Sequence, residues 1–225
     1  MKKLIAVIAL LVLALGAHAA GLQAGAGASA GFFIKEMLTS LASPAVSSDT
    51  TDTHWPVGFT AFFDSPYVQA NVGYSQSLLG HEKSTQTISG STSTLVNTDI
   101  AATKGYLSIA VLGKYPLALG PVSLFPLIGL AVDFNVLAMD ASGNDLKASM
   151  TDQQKADENQ FWVKAGVGAD VMIFGKAFIR PELIAGLKLP NGSERSAIAS
   201  AQQAGFNALL LTFTFDFSLL VGYSF

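Results

Sequence analysis

The last twenty residues, 206–225, constrain the fold more than any other stretch of the chain. They read FNALLLTFTFDFSLLVGYSF, and apolar or aromatic side chains occupy every second position back from Phe225. The positions between them are mostly small or polar, as at Asp216 and Ser218. Successive side chains of a strand point to opposite faces, so this stretch is predicted to be one long strand with an apolar face and a wetter face.

An apolar face of this length needs surroundings other than water. Half of the residues are hydrophobic and 13% are charged, yet no segment after the N-terminus has the apolar run of a membrane helix. Such a chain must bury its apolar surface in a core or present it to lipid as a closed barrel. A lipid-facing strand of a barrel shows this alternation over about 9–11 residues.

The same alternation recurs along the chain and predicts eight strands: 22–34, 57–63, 67–79, 104–115, 122–138, 161–173, 178–189 and 206–225. Short turns alternate with four long polar loops at 35–56, 80–103, 139–160 and 190–205. This asymmetry is typical of transmembrane barrels, and loops this long count against a compact soluble domain. We therefore predict an all-β fold, an eight-stranded antiparallel transmembrane β-barrel with up-and-down meander order.

The charged residues of the predicted strands separate a membrane barrel from a soluble one. All nine fall on the less apolar face of their strand: Lys104, Lys114, Asp133, Lys164, Asp170, Arg180, Glu182, Lys188 and Asp216. A Lys or Arg facing lipid at the midplane costs about 2–4 kcal/mol. The alternative, a soluble barrel with its apolar rows inside, has too little internal room for them.

A luminal polar network follows from these faces, formed by Asp133, Lys164, Asp170, Arg180, Glu182, Lys188 and Asp216. If residue numbers across the 161–189 hairpin sum to about 350, Asp170 lies opposite Arg180. We expect an ion pair there, and Asp133 as the partner of Lys164, because buried charges need partners. The network either fills the barrel or gates a narrow path.

Toward the end with the long loops, the inward positions become apolar. They are Phe33, Leu79, Leu137, Trp162 and Leu210. We expect these residues to form an apolar mouth, which either fills the top of the barrel or admits a ligand.

The N-terminus has the three parts of a secretory signal peptide. Lys2 and Lys3 precede an apolar stretch at 4–15, and Ala17, His18 and Ala19 form a small-residue cleavage site. The predicted organisation is a signal peptide at 1–19 and one barrel domain at 20–225.

Several kinds of chemistry are disfavoured. The chain has no cysteine, so it has no disulfide or thiolate. His54 and His81 lie in predicted loops without a carboxylate on a rigid strand to orient them, and two histidines make a poor zinc site. No basic patch is visible. We expect no catalysis, metal, cofactor or nucleic-acid partner.

The end of the chain resembles that of the small eight-stranded outer-membrane barrels of the OmpA, OmpX and OmpW type. Those proteins end on an aromatic residue preceded by apolar residues at alternate positions, and the matching residues here are Phe217, Leu219, Val221, Tyr223 and Phe225. The resemblance implies an outer-membrane location, contact with its lipid, and recognition of this ending by the barrel-assembly machinery.

The resemblance also implies a choice of functions. One is a structural or surface-interacting barrel that contacts host or surface ligands through its extracellular loops. The alternative is an OmpW-like narrow channel or pocket for small apolar solutes, and a minor one is a lipid-modifying enzyme at the rim.

Overall fold

The structure is a computed structural model that describes residues 21–41, 46–88, 91–100, 103–140 and 142–225. The predicted signal peptide, 1–19, lies outside the described residues. The division of the chain at residue 20 therefore stays a prediction.

One antiparallel sheet contains the ten strands of the described residues. The strands are β1 Gln23–Leu41, β2 Val46–Asp64, β3 Val68–Ile88, β4 Ser91–Ile100, β5 Thr103–Lys114, β6 Leu117–Leu119, β7 Val122–Met139, β8 Gln160–Phe174, β9 Ala177–Leu189 and β10 Asn207–Ser224. Eight of them form a barrel in up-and-down order, while β4 and β6 are short additions beside β3 and β7. β1 pairs with β10 from Gln23–Ser224 to Ser40–Asn207, which closes the barrel. The predicted fold class is confirmed.

The outer wall of the barrel is apolar, because the alternating rows of the sequence face outward. On β10 and the residue after it, Phe217, Leu219, Val221, Tyr223 and Phe225 are 48–66% exposed. Exposed aromatic residues occur near both ends of the wall, with Tyr67, Tyr115 and Phe174 at the short turns and Trp55 and Phe161 at the other end. An apolar band flanked by aromatic girdles is the outer surface of a transmembrane barrel.

The barrel has a turn end and a loop end. The turn end holds the short connections 65–67, 115–121 and 175–176, together with Phe225, whose backbone N–H donates to the carbonyl of Leu22. The loop end holds the other four connections.

Two of the predicted loops, 35–56 and 80–103, are corrected by the structure to extensions of strands. β1 and β2 each contain 19 residues and β3 contains 21, whereas β5 contains 12. The Ser- and Thr-rich segments continue the β1–β2 pairing to Leu41–Val46 and form a further hairpin between β3 and β4. Threonine favours strands, and above the membrane both faces of a sheet can be polar.

The other two predicted loops contain short helices. A 3₁₀ helix at Leu146–Ser149 and α1, Asp152–Asp157, follow β7, and α2, Gly192–Gln203, follows β9. Capping boxes start both α-helices, from Thr151 with Gln154 and from Asn191 with Glu194. Within the described residues, no helix is long and apolar enough to cross a membrane.

The register of the β8–β9 hairpin agrees with the prediction. Trp162 pairs with Lys188, Lys164 with Gly186, and Gly168 with Glu182. A register shift occurs at the turn end of this hairpin, between Met172 and Phe174, and others lie between His54 and Pro56 on β2 and between Gly105 and Tyr106 on β5. The inward set of residues therefore changes toward the loop end.

Candidate functional site

The guanidinium of Arg180 lies at the centre of the barrel near the turn end, fully buried. Its Nε donates to Oδ1 of Asp170 at 2.5 Å and its Nη2 to Oδ2 at 2.9 Å. Nη1 donates to Oδ2 of Asp64 at 2.8 Å and to Oε1 of Gln69 at 3.3 Å, and Nη2 also donates to Oε1 of Gln23 at 2.7 Å. The predicted Asp170–Arg180 pair is thus one part of a larger network.

A second cation completes this network. Lys114 donates to Oδ2 of Asp64, which Arg180 also contacts. Glu182 accepts a hydrogen bond of 2.8 Å from Nε2 of Gln69 and lies 4.0 Å from Nη1 of Arg180. Each buried charged side chain of the cluster has an oppositely charged or hydrogen-bonding partner, which offsets the cost of its burial, while Oδ1 of Asp64 has no hydrogen-bond partner in the described structure.

Three aromatic rings fill the space around the guanidinium. Its carbon lies 4.1 Å from the ring centre of Phe62, 5.0 Å from that of Phe125 and 5.1 Å from that of Phe178, distances of cation–π contacts. Gly222 makes room for them, since a Cβ there would lie 2.4 Å from the Phe178 ring and 2.8 Å from that of Phe62. We call this assembly the plug: Gln23, Phe62, Asp64, Gln69, Lys114, Phe125, Asp170, Phe178, Arg180 and Glu182.

A cavity of about 530 Å³ lies in the lumen between the plug and the loop end. Glu182, Asn71 and Ser218 line its floor, and residues of α1 and α2 line its opening. We call this cavity the pocket. The pocket lies directly above the plug and opens toward the loop end.

The middle of the pocket carries an ion pair that differs from the prediction. Nζ of Lys164 lies 2.9 Å from Oδ2 of Asp216, while Asp133 accepts a hydrogen bond from Ser108. The expectation that Asp133 would be the partner of Lys164 is therefore wrong for the direct contact. Asp133 is on the adjacent strand, but the side chain of Lys164 reaches Asp216 on β10, two strands away in the barrel order.

The predicted apolar mouth is only partly present. Phe33 and Trp162 line the pocket, with their ring centres 6.1 Å apart in an edge-to-face contact. Leu137 and Leu210 are not among the described residues that line it. The register shift at Gly105 and Tyr106 lies beside Leu137, so simple alternation does not extend to it. The side chain of Leu79 lies outside the described part of the structure.

Charged pairs surround the opening instead. Lys104 lies 3.0 Å from Glu158, and Glu194 lies 2.7 Å from Lys188 and 3.5 Å from Lys35. The two helical connections meet here, because Nδ2 of Asn191 donates to the carbonyl of Asp157 at 2.7 Å. We call α1, α2 and these ion pairs the rim.

The charge state of Glu194 is set by this geometry. Burial alone would raise the pKa of its carboxyl, but the hydrogen bonds from Lys188 and from the backbone N–H of Asn191 outweigh that effect. The pKa of Glu194 therefore lies below its ordinary value, and the carboxylate holds both lysines at neutral pH.

All nine charges predicted to avoid lipid lie inside the barrel. Lys104, Asp133, Lys164, Glu182, Lys188 and Asp216 line the pocket, and Lys114, Asp170 and Arg180 are buried in the plug. An apolar exterior around a charged interior, in a closed antiparallel barrel, is the arrangement that lipid requires. The chain is a small outer-membrane β-barrel.

Comparisons with known proteins agree with this description of the barrel. No protein-family model and no curated protein sequence matches the chain. Among solved structures it is similar to the outer membrane protein OprG from Pseudomonas aeruginosa, with 12% identity, a TM-score of 0.46, and coverage of 92% of this chain and 96% of that one. It is also similar to Neisserial surface protein A, with 12% identity, a TM-score of 0.39, and coverage of 89% and 99%. The outer membrane protease OmpT from Escherichia coli matches at 8% identity with a TM-score of 0.39, over 92% and 98% of the two chains. Since all these scores are below 0.5, the assignment rests on the barrel's own geometry.

The structure also revises the surroundings of His54. This residue lies on β2, with Nε2 2.9 Å from Oδ1 of Asp52 on the same strand. A carboxylate on a strand does therefore accompany the histidine, contrary to the expectation. The two groups touch without completing a hydrogen bond, and Nδ1 of His54 has no partner in the described structure. No nucleophile–base pair is formed at this histidine, and no group of three metal-binding side chains occurs among the described residues.

Sequence reasoning missed several residues of the plug. Asp64 was expected in a turn, but it extends the inward row of β2 by one step beyond Phe62, which alternation alone could have indicated. Gln69 starts the inward row of β3, and Gln23 starts that of β1. Uncharged amides on an inward face gave no signal that they would bind a guanidinium from another strand of the barrel.

The five residues of the predicted C-terminal signal form the outward row described above. Tyr223 and Phe225 also contact each other, with ring centres 5.5 Å apart. Their recognition by the barrel-assembly machinery stays a prediction.

Proposed function

We propose that the protein is a ligand-binding barrel whose pocket takes a small molecule from the cell exterior and does not pass it to the periplasm. The plug is the single observation that carries this proposal. A fully buried guanidinium bonded to residues from β1, β2, β3 and β8, with three rings packed on it, leaves no luminal path at the turn end.

The size of the pocket supports binding of a small molecule. Ligand pockets typically have volumes of about 300–1,000 Å³, and this one has about 530 Å³. Short connections of outer-membrane barrels lie in the periplasm and long ones outside, which orients the open end outward. The charged lining disfavours the purely apolar solutes that the resemblance implied.

A surface-interacting role is the second candidate. The paired extensions of β1, β2 and β3 and the β3–β4 hairpin form a raised Ser- and Thr-rich sheet at the loop end. This sheet is an accessible surface for a host or surface ligand.

The absence of cysteine allows a direct test by single-cysteine labelling. Ser75 lines the pocket, and Ser123, paired with Asp170, lies at the turn end of β7. Each is changed to Cys in the full chain, reconstituted in vesicles of known orientation and exposed to a membrane-impermeant thiol reagent on one side.

We expect reagent on the loop side to label Ser75→Cys and to leave Ser123→Cys unlabelled. Labelling of Ser123→Cys from the loop side would show a continuous path and refute the closed pocket. Failure to label Ser75→Cys from the loop side would remove the pocket as a binding site. Planar-bilayer recordings without stable conductance would agree with the first outcome.

A further inference from the structure

We infer that the pocket selects small organic cations, that is, ammonium ions that carry an aliphatic or aromatic group. The inference rests on the proposed binding function and adds the chemical class of the ligand. It starts from the charges that line the pocket. The described lining contains four lysines, Lys35, Lys104, Lys164 and Lys188, and seven carboxylates, Asp52, Asp133, Asp157, Glu158, Glu182, Glu194 and Asp216. Glu182 lies 4.0 Å from Arg180 of the plug, and the other lining side chains include two more carboxylates than lysines.

None of these lysines is free to bind an anion. Lys164 contacts Asp216 at 2.9 Å, Lys104 contacts Glu158 at 3.0 Å, and both Lys35 and Lys188 contact Glu194. An anionic ligand would have to break one of these pairs and leave a carboxylate unpaired in a confined space. That exchange is unfavourable where water is scarce.

Two carboxylates in the pocket lack a lysine or arginine partner. Among the described residues, neither Asp52 nor Asp133 lies within ion-pair distance of either cation. Oδ1 of Asp52 is buried and lies 2.9 Å from Nε2 of His54 without a completed hydrogen bond, and Asp133 accepts a bond from the neutral hydroxyl of Ser108. A buried carboxylate oxygen without a donor is costly, and a ligand N–H would satisfy it.

Aromatic rings connect the two carboxylates. Phe33 contacts His54, with ring centres 5.6 Å apart, and His54 touches Asp52. On its other side Phe33 meets the edge of Trp162, whose indole N–H points toward Asp133 without completing a hydrogen bond. A wall of ring faces and carboxylates attracts an ammonium ion through charge and through the ring quadrupoles, and the rings also bury its organic part.

This wall distinguishes an organic cation from its competitors. A tightly held metal ion needs several converging ligands, and no group of three His, Asp or Glu side chains able to hold one occurs in the described residues. A neutral solute would gain the ring contacts but would leave the carboxylates unpaired. An ammonium ion with an organic group uses both features.

The test compares four-carbon ligands of similar size and different charge. The full chain in vesicles of zwitterionic phosphatidylcholine is titrated with n-butylammonium, butyrate and butanol by isothermal calorimetry. We expect n-butylammonium to bind and butyrate and butanol not to bind. We expect Asp52→Asn and Asp133→Asn each to weaken binding of n-butylammonium about tenfold, because each removes a charged acceptor.

Asp152→Asn is the matched control, since Asp152 starts α1 outside the pocket lining and the change is chemically the same. Asp52 lies in the β1–β2 extension, so its variant is informative even where Asp133→Asn lowers the folded yield. Equal binding of butyrate or butanol, or unchanged binding by both variants, would overturn the inference. If no probe binds while Ser75→Cys is labelled from the loop side, the ligand class is wrong but the open pocket stands. If Ser75→Cys is not labelled, the proposed function fails as well.

Discussion

Arg180 and Asp170 meet across the β8–β9 hairpin in a bidentate ion pair, with N–O distances of 2.5 and 2.9 Å. Both side chains are buried, and the same guanidinium also holds Asp64. Replacing Arg180 would leave Asp170 without its ion-pair partner and Asp64 with Lys114 alone, in a buried interior. This pair therefore determines how the barrel responds to changes at its turn end.

We predict that Arg180→Met lowers the free energy of unfolding by about 3–5 kcal/mol, the usual cost of removing one partner from a buried ion pair. Urea unfolding in lipid vesicles, followed by tryptophan fluorescence, measures this loss. Arg195→Met is the control, because Arg195 is exposed on α2 and its Nε donates to the carbonyl of Pro190, at 3.0 Å. Equal stability of the two variants would contradict a structural role for the plug.

We predict that Gly222→Ala destabilises the barrel by about 1–3 kcal/mol, as expected for overpacking. The added methyl group would meet the buried rings of Phe178 and Phe62. Gly192→Ala is the matched change, since nothing lies within 4 Å of a Cβ placed there. The same urea titration compares them, and a neutral Gly222→Ala would mean that the rings can move apart.

The two tryptophans report on the inside and the outside of the wall. Trp55 is 55% exposed and contacts Phe32 on the outer surface, whereas Trp162 is 2% exposed and faces the lumen. We predict that brominated lipids quench the fluorescence of Trp162→Phe, which retains Trp55, and leave that of Trp55→Phe nearly unchanged. The reverse result would contradict the assignment of Trp55 to the outer surface and of Trp162 to the lumen.

The rim should loosen in acid. Because the folded-state pKa of Glu194 lies below its ordinary value of 4.5, its ionised form stabilises the rim at every pH above that ordinary value. This contribution is lost as the pH falls through the lowered pKa. We predict that Ser75→Cys reacts faster with dithiodipyridine, a reagent that labels thiols in acid, as the pH falls through the lowered pKa of Glu194.

Glu194→Gln serves as the comparison for this acid effect. With the carboxylate removed, the rim should already be loose at neutral pH, and labelling of Ser75→Cys in that background should change little with pH. The same flat profile for Ser75→Cys with Glu194 intact would show that Glu194 does not stabilise the rim.

The barrel fold could be predicted from the sequence because lipid requires apolar side chains at the outward positions of every strand. Alternation alone placed Lys164, Arg180 and Asp216 inside, and the β8–β9 register followed from a single short turn. The prediction of strands failed for segments outside the membrane, where no apolar face is required. The segments 35–56 and 80–103 are polar on both faces, so their pairing left no periodic signal. The capping boxes at Thr151 and Asn191 were present in the sequence and could have indicated helices.

The contacts inside the lumen were the hardest to predict. Neighbouring strands fix a register, but they do not fix which side chains meet across the barrel. Lys164 could reach either Asp133 or Asp216, and only the three-dimensional curvature selects Asp216. Gln23 and Asp64, far from Arg180 in sequence, converge on it for the same reason.

The plug draws its hydrogen-bonding groups from β1, β2, β3, β5, β8 and β9. The hydrogen bonds between the two halves of the chain can form only when the first and last strands come together. In an incomplete sheet, Arg180 would lack part of its hydrogen-bonding partners. An unpaired charge in hydrocarbon is unfavourable in free energy. The β1–β10 pairing and the plug must therefore form in one concerted step, so partly inserted intermediates should be scarce during assembly.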